Sequence, residues 1–336
     1  MLKEVFQNSM DQKIRWGIIG LGKIAHSFVQ DLALVNEAVI TAVASRSLEK
    51  AKEFASEYEV SLAFGSYKEL MECEEVDVVY IATPHRFHAN LSIMAMDLGK
   101  HVLCEKPLGI NKKEVEAMIA SSKKNKVFLM EALWSRFNPA IRKVKSLVDN
   151  GEIGNIAYVH ADFAFYALDR DLKGRVLNPE LGGGSLLDVG IYPIFLAYLL
   201  LGKPDEVLST SSFYSNGAEI QTSIIFKYQH AQAVLYSGFT SNSTMRAQIS
   251  GEKGIITIPE RWHQAQGYSV QKEQQQEAFR LPTQGKGYFY EIKEVHACLA
   301  EGKLESDLWS HQNSLDLIGL MDTIRDQNGI HFPSSE

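Results

Sequence analysis

The stretch Ile14-Arg15-Trp16-Gly17-Ile18-Ile19-Gly20-Leu21-Gly22-Lys23-Ile24-Ala25 decides the fold. It opens as a short apolar, β-branched run and turns at G-x-G-x-x-A into a segment with helical apolar spacing that reaches about Leu34. Gly20 permits the tight turn, Gly22 lets backbone approach a pyrophosphate, and Ala25 allows a helix to pack closely on a sheet. The N-terminus of that helix offers N–H groups and a partial positive charge to phosphates, with Lys23 and Ile24 at its start. Two glycines in a turn also occur for packing alone. The strand–turn–helix setting favours dinucleotide binding.

Outward from this stretch the pattern alternates. Strands are predicted at Val39–Ala44, Val76–Ala82, His101–Cys104 and Val127–Met130, and helices at Leu48–Tyr58, Tyr67–Met71, His88–Leu98 and Lys112–Lys124. Alternation of this kind implies a parallel sheet covered on both faces. Ligands then sit beyond the carboxyl ends of the strands, where Ser45-Arg46, Thr83-Pro84-His85 and Glu105-Lys106-Pro107 fall. The second strand ends Ala44-Ser45-Arg46-Ser47, without the acid that bonds a ribose 2′-OH. An arginine flanked by hydroxyls suits a 2′-phosphate, so NADP is favoured, with NAD as the alternative. The plainer reading is that Arg46 begins a solvated helix capped by Ser45 or Ser47.

The 336 residues suggest two domains. A net charge of −7 argues against nucleic acid and against anionic membrane surfaces. Three dispersed cysteines, Cys73, Cys104 and Cys298, fit a reducing cytoplasm. The N-terminal MLKEVFQNSMDQKIRW has no apolar leader core, and the apolar run Ile191–Gly202 is too short to span a bilayer.

Val102-Leu103-Cys104-Glu105-Lys106-Pro107-Leu108 ends a core strand on opposite charges. A surface ion pair is the plain reading. At the ligand end of the sheet, Lys106 can instead donate to a substrate oxygen, or act as a base if its pKa falls. Ala82–Leu108, with the EKP motif at Glu105-Lys106-Pro107, resembles the core signature of the Gfo/Idh/MocA oxidoreductase family. Met130–Pro139 (MEALWSRFNP) and Leu181–Pro193 (LGGGSLLDVGIYP) are similar to the branch containing dimeric dihydrodiol dehydrogenase and the NADP-dependent D-xylose 1-dehydrogenases. The resemblance covers nearly the whole chain. It implies a Rossmann domain followed by an α/β domain with an open, mostly antiparallel sheet, a catalytic role for Lys106, and a Lys106–Pro107 bond that is often cis in relatives.

After Asn150-Gly151 the pattern changes to successive strands with short turns: Ile156–Phe165, Glu206–Tyr214, Ile220–Tyr228, Ala231–Phe239, Arg246–Ser250 and Gly254–Pro259. Short turns suggest an antiparallel sheet with one face open, a plausible homodimer contact. Gly182-Gly183-Gly184 lets backbone approach a ligand or a neighbouring segment. Asp188 and Tyr192 are four apart and share a helix face, while Pro193 predicts a kink or a loosened turn. The plain readings are a capping carboxylate and a core aromatic. Many family members carry histidine where this chain has Tyr192; the resemblance to the dihydrodiol branch makes that tyrosine the acid/base, with Lys106 as the cation that lowers its pKa and Asp188 fixing substrate.

Trp134, Arg136 and Phe163 are candidates for a substrate wall or for core. Thr83, Pro84, His88 and Glu105 join Gly20, Gly22, Lys23, Ile24, Ser45, Arg46 and Lys106 as the expected cofactor-contacting set. No metal motif appears among ten scattered histidines. The expectation is an α/β protein. Residues 12–132 form an NADP-binding Rossmann domain, and 133–330 a substrate-binding and oligomerisation domain whose C-terminal helix packs back on the first. Its activity is dehydrogenation of a sugar, cyclic polyol or trans-dihydrodiol. The alternatives are an NADP(H)-sensing binding protein or an NAD-dependent glycosidase.

Overall fold

Burial on two faces turns the apolar runs of the first half into strands. The computed structural model describes residues 13–333. The N-terminal stretch read as lacking a leader falls largely on residues 1–12, outside the described residues. In chain order come β1 (Ile14–Ile19), α1 (Lys23–Leu32), β2 (Ala38–Ala44), α2 (Leu48–Glu57), β3 (Leu62–Phe64), α3 (Tyr67–Glu72), β4 (Val78–Ile81), α4 (His88–Asp97), β5 (His101–Glu105), α5 (Lys112–Asn125) and β6 (Leu129–Ala132). These six strands are all parallel, in the order β3-β2-β1-β4-β5-β6. That is the doubly wound order of dinucleotide-binding sheets, with its switch point between β1 and β4. Every residue of β4 is 0% exposed, which is why it reads as a continuous apolar run and not as an alternation. The sequence reading missed β3, a half-buried edge strand of three residues. It is too short to carry a period.

The chain continues with α6 (Pro139–Asp149), β7 (Ile156–Ala164), α7 (Ile191–Leu201), β8 (Glu206–Phe213), β9 (Glu219–Lys227), β10 (Gln232–Gly238), β11 (Ala247–Gly251), β12 (Gly254–Ile258), β13 (Gly267–Lys272), β14 (Gln275–Arg280), α8 (Phe289–Ala300) and α9 (His311–Asn328). The second sheet has eight strands in the order β14-β13-β12-β11-β7-β10-β9-β8. All its pairings are antiparallel except β7 with β10. One face buries Val159, Ile224, Phe226, Leu235, Ile249 and Ile256, with α7 packed against β7 and β10. The other face stays open. There Leu208 pairs across strands with Ile225, and Ile225 with Val234; Leu208 and Ile225 are 44% and 38% exposed. Strands β13 and β14 escaped the sequence reading because β14 is exposed throughout and shows no apolar alternation.

Two compact units result. One comprises the residues up to Leu108, Glu116–Trp134 and Gln284–His311; the other comprises Gly109–Val115, Ser135–Thr283 and the residues from Gln312 on. The segment 284–311 is held in the first unit by buried polar bonds. Asp31 of α1, 1% exposed, accepts from the backbone N–H of Lys286 at 2.8 Å, Tyr288 at 2.8 Å and Phe289 at 3.1 Å. Trp16 of β1 donates its indole N–H to His296 Nε2 at 3.1 Å. Burial foremost, with help from Lys293, pushes that imidazole down to about 4, so it accepts as the neutral ring.

An orphaned buried N–H costs about 1–3 kcal/mol. Asp31→Ala is therefore expected to lower unfolding free energy by roughly 3 kcal/mol or more, read from the urea midpoint. A loss below about 1 kcal/mol means that these bonds do not hold the segment.

Candidate active site

The glycine turn after β1 is shaped by what it crosses. Gly20 has φ +83°, and a Cβ there would lie 2.5 Å from the carbonyl carbon of Ala82 and 2.6 Å from Thr83 N. Only glycine fits between the ends of β1 and β4. Gly22 differs: a Cβ on it would meet no protein atom within 4 Å. No packing inside the chain demands glycine there, and the space beside it is open to close approach by a ligand. The first-turn N–H groups of Lys23, Ile24 and Ala25 have no helix carbonyl four residues back, and no side chain caps them. At the end of β2, Ser47 accepts from Lys50 N at 3.3 Å and caps α2, while Ser45 Oγ accepts from Ser47 N at 3.3 Å. The capping role of Ser47 is therefore real, and it leaves Arg46 exposed beside the strand end. These features fit a dinucleotide, with helix N–H groups for the pyrophosphate and a guanidinium for a 2′-phosphate.

The ends of β4 and β5 carry the next cluster. Thr83 is 8% exposed and His88 0%. His88 Nδ1 lies 2.8 Å from the carbonyl oxygen of Pro107, and Nε2 lies 2.8 Å from that of Thr83. Its ring thus faces backbone within the protein. Glu105 is 8% exposed and its carboxylate accepts from the Tyr80 hydroxyl. Lys106 is half-buried, and the Lys106–Pro107 bond is cis. Beyond it, Leu108 N donates to Glu131 Oε1 at 2.9 Å, and Trp309 Nε1 donates to Glu131 Oε2 at 3.0 Å.

Behind this corner lies a carboxyl group the sequence reading missed. Glu291 of α8 is 0% exposed, and neither of its oxygens has a hydrogen-bond partner. Burial first, then the charges of Glu105 and Asp31, hold it well above its ordinary 4.5. The same burial favours its neutral, protonated form over the carboxylate. Burial also drives the Tyr80 phenol well above its ordinary value, reinforced by Glu105, Tyr288 and Glu291.

In the second unit, Asp188 sits within a π turn, Leu186–Gly190, that leads into α7. The kink expected from Pro193 takes this form: proline has no N–H to return to Val189, and the chain widens just before it. The turn is anchored by Glu219, 1% exposed, which accepts at 2.7 Å from Ser185 Oγ, Leu186 N and Thr222 Oγ1. Gly183 is required by its own chain, since a Cβ would lie 2.7 Å from Arg175 O and from Asn178 N. Asp188, 6% exposed, accepts from Arg175 Nη1 at 2.9 Å. Tyr192, 5% exposed, has the rings of Phe163 and His263 each 5.4 Å away, and Phe163 stacks on His263 at 4.1 Å. Arg175, Glu219 and His263 carry no local sequence signal for these roles. Arg136 is half-buried in this unit. Trp134 belongs to the first unit, where it stacks on Tyr288 at 5.1 Å. Among the described residues, no group of three or more His, Cys, Asp or Glu side chains is arranged to hold a metal.

A doubly wound parallel sheet with an uncapped glycine turn at its switch point defines a dinucleotide-binding class of domain. Residues 14–133 match the oxidoreductase family with an NAD-binding Rossmann fold, and residues 141–257 match the GFO/IDH/MocA C-terminal domain. The chain belongs to the Gfo/Idh/MocA family and is an oxidoreductase. It is 34% identical to trans-1,2-dihydrobenzene-1,2-diol dehydrogenase of Xenopus tropicalis, over 95% of this chain and 99% of the relative. It is 35% identical to scyllo-inositol 2-dehydrogenase (NADP(+)) IolU of Bacillus subtilis, over 96% and 99%. The crystal structure of KijD10, a 3-ketoreductase from Actinomadura kijaniata in complex with NADP and TDP-benzene, superposes with TM-score 0.85 at 27% identity, covering 94% of this chain and 98% of that one.

Glu291 gives a pH signature. Its folded pKa lies above the unfolded value, so its stabilising contribution is complete below about 4.5 and is lost as pH rises from there toward the folded value. Gln has the same shape and does not titrate. The melting temperature of Glu291→Gln minus that of the wild type is expected to climb as pH rises above the ordinary value of 4.5, measured by calorimetry. A difference that stays flat overturns the assignment.

Proposed function

We propose that the protein is an NADP-dependent dehydrogenase that oxidises a secondary or hemiacetal alcohol of a sugar, cyclic polyol or trans-dihydrodiol. The observation that carries this is the anchored Lys106 corner at the ligand end of a dinucleotide-binding sheet. The activities named for the relatives, on a dihydrodiol and on scyllo-inositol with NADP(+), support the substrate class. Arg46, exposed at the end of β2 where an acid would select NAD, supports the cofactor.

A bound nicotinamide dinucleotide would supply the acceptor for the hydride that leaves the substrate carbon. The chain's own residues manage the rest. Gly20, Gly22, Lys23 and Ile24 would hold the pyrophosphate, Ser45 and Arg46 the 2′-phosphate, and Thr83, Pro84 and Glu105 would contact the cofactor from the neighbouring strand ends. Tyr192 removes the hydroxyl proton, and Lys106 supplies positive charge to the developing alkoxide. Asp188, oriented by Arg175, accepts a hydrogen bond from a second substrate hydroxyl. Phe163 offers an apolar face for a ring, with Trp134 and Arg136 as further substrate contacts.

We also propose a homodimer or higher homo-oligomer through the open sheet face, supported by the exposed Leu208–Ile225 pair. A cytoplasmic setting is supported by the three cysteines, Cys73, Cys104 and Cys298, being thiols and not disulfides. Among the described residues, no helix is long and apolar enough to cross a membrane.

Lys106→Ala is expected to cut turnover by about 100-fold or more, with NADP affinity unchanged by fluorescence titration; retained turnover sinks the assignment. Arg46→Ala is expected to weaken NADP by roughly tenfold or more while sparing NAD. Equal losses for both cofactors argue against a 2′-phosphate role.

A further inference from the structure

His88 is the first residue of α4 and is fully buried. Both of its ring nitrogens lie 2.8 Å from backbone carbonyl oxygens, those of Pro107 and Thr83. Carbonyl oxygens only accept. A neutral imidazole has one N–H and one lone pair, so it satisfies one carbonyl and sets its lone pair against the other. An imidazolium donates to both.

We propose that His88 is a buried imidazolium and a positioning residue for Lys106, tying the end of β4 to the turn after β5 by two charge-assisted hydrogen bonds. Pro107 directly follows Lys106, so the Pro107 carbonyl fixes the backbone from which the lysine side chain starts. The positioning half of the proposal rests on the catalytic reading of Lys106; the charge state does not.

Burying a cation is costly unless it is paired and hydrogen-bonded. The helix N-terminus also opposes a positive charge at this position. Two charge-assisted bonds act against those costs. So does an acid-rich surround. The elements packed on α4 carry Tyr80 in β4, Cys104, Glu105 and Lys106 in β5 and its turn, and His85 in the turn before the helix, whose ring is 5.7 Å away. Glu105 and, on β6 beyond, Glu131 are both buried carboxylates. On α3, Lys68, Glu69 and Glu72 are exposed, and Tyr67 is half-buried. A Gln in place of His88 carries both of its N–H donors on one nitrogen, beside an oxygen that only accepts, so it cannot reach two carbonyls from opposite sides as a ring with two separated N–H groups does.

The test is a two-bond nitrogen–hydrogen correlation spectrum of the intact enzyme labelled with ¹⁵N at its ten histidines. His88→Gln identifies the signal. The expected result is a ring with both nitrogens protonated that does not titrate between about pH 6 and about pH 9. A ring with one unprotonated nitrogen at neutral pH overturns the proposal. In parallel, His88→Gln is expected to lower kcat by about 100-fold, the loss that a misplacement of about 1 Å brings, with NADP affinity nearly unchanged. An unchanged kcat in a variant whose Lys106→Ala counterpart is inactive refutes the positioning role alone. Should Lys106→Ala retain turnover while the imidazolium is seen, the catalytic reading fails and the charge assignment stands. If His88→Gln does not fold, the wild-type spectrum still decides, because absence of any doubly protonated, non-titrating histidine rejects the idea.

Discussion

A strand that stops inside a core leaves backbone N–H and C=O groups that must find partners. The end of β5 meets that constraint with buried polar side chains, and the rest of the first unit is arranged around them. Tyr80 from β4 donates to the Glu105 carboxylate, His88 from α4 takes the Pro107 carbonyl, and Glu131 from β6 takes the Leu108 N–H. Three neighbouring elements thus each grip a different atom of one short turn. Lys106 is the half-buried residue in the middle of it. A flexible lysine side chain gains a defined origin this way, because its backbone is fixed on both sides.

The second unit applies the same solution to a helix start. Glu219 lies 33 residues beyond Leu186 in sequence yet binds its N–H, along with the hydroxyls of Ser185 and Thr222. Burial pushes this carboxyl upward while its hydrogen-bond donors pull it down. The π turn that carries Asp188 is therefore fixed at its beginning by a strand of the sheet beneath it. Arg175 then turns the Asp188 carboxylate.

The turn at Gly20, the continuous apolar strands and the charged end of β5 were legible because each has a local signature: a spacing, a run, or a break in one. The EKP and LGGGSLLDVGIYP stretches added roles for Lys106, Asp188 and Tyr192 through resemblance. What stayed hidden was long-range. Glu131, Glu219 and Glu291 read as ordinary charged residues until the fold buries them, and nothing near them in sequence announces a partner. His88 read as a cofactor contact because its two carbonyls come from separate loops. Strand β3 is too short, and β14 too exposed, for hydrophobic periodicity to register.

The bonds that tie the late segment to the early sheet set a timetable for assembly. Asp31 waits for the amides of residues 286–289, Leu129 N for the Leu304 carbonyl at 3.0 Å, and Glu131 for the Trp309 indole. A ribosome delivers the doubly wound sheet first but releases these partners only after the whole eight-stranded layer has emerged. The nascent first unit must therefore persist unfinished, with buried-to-be carboxylates still hydrated, until residues 286–309 have been made.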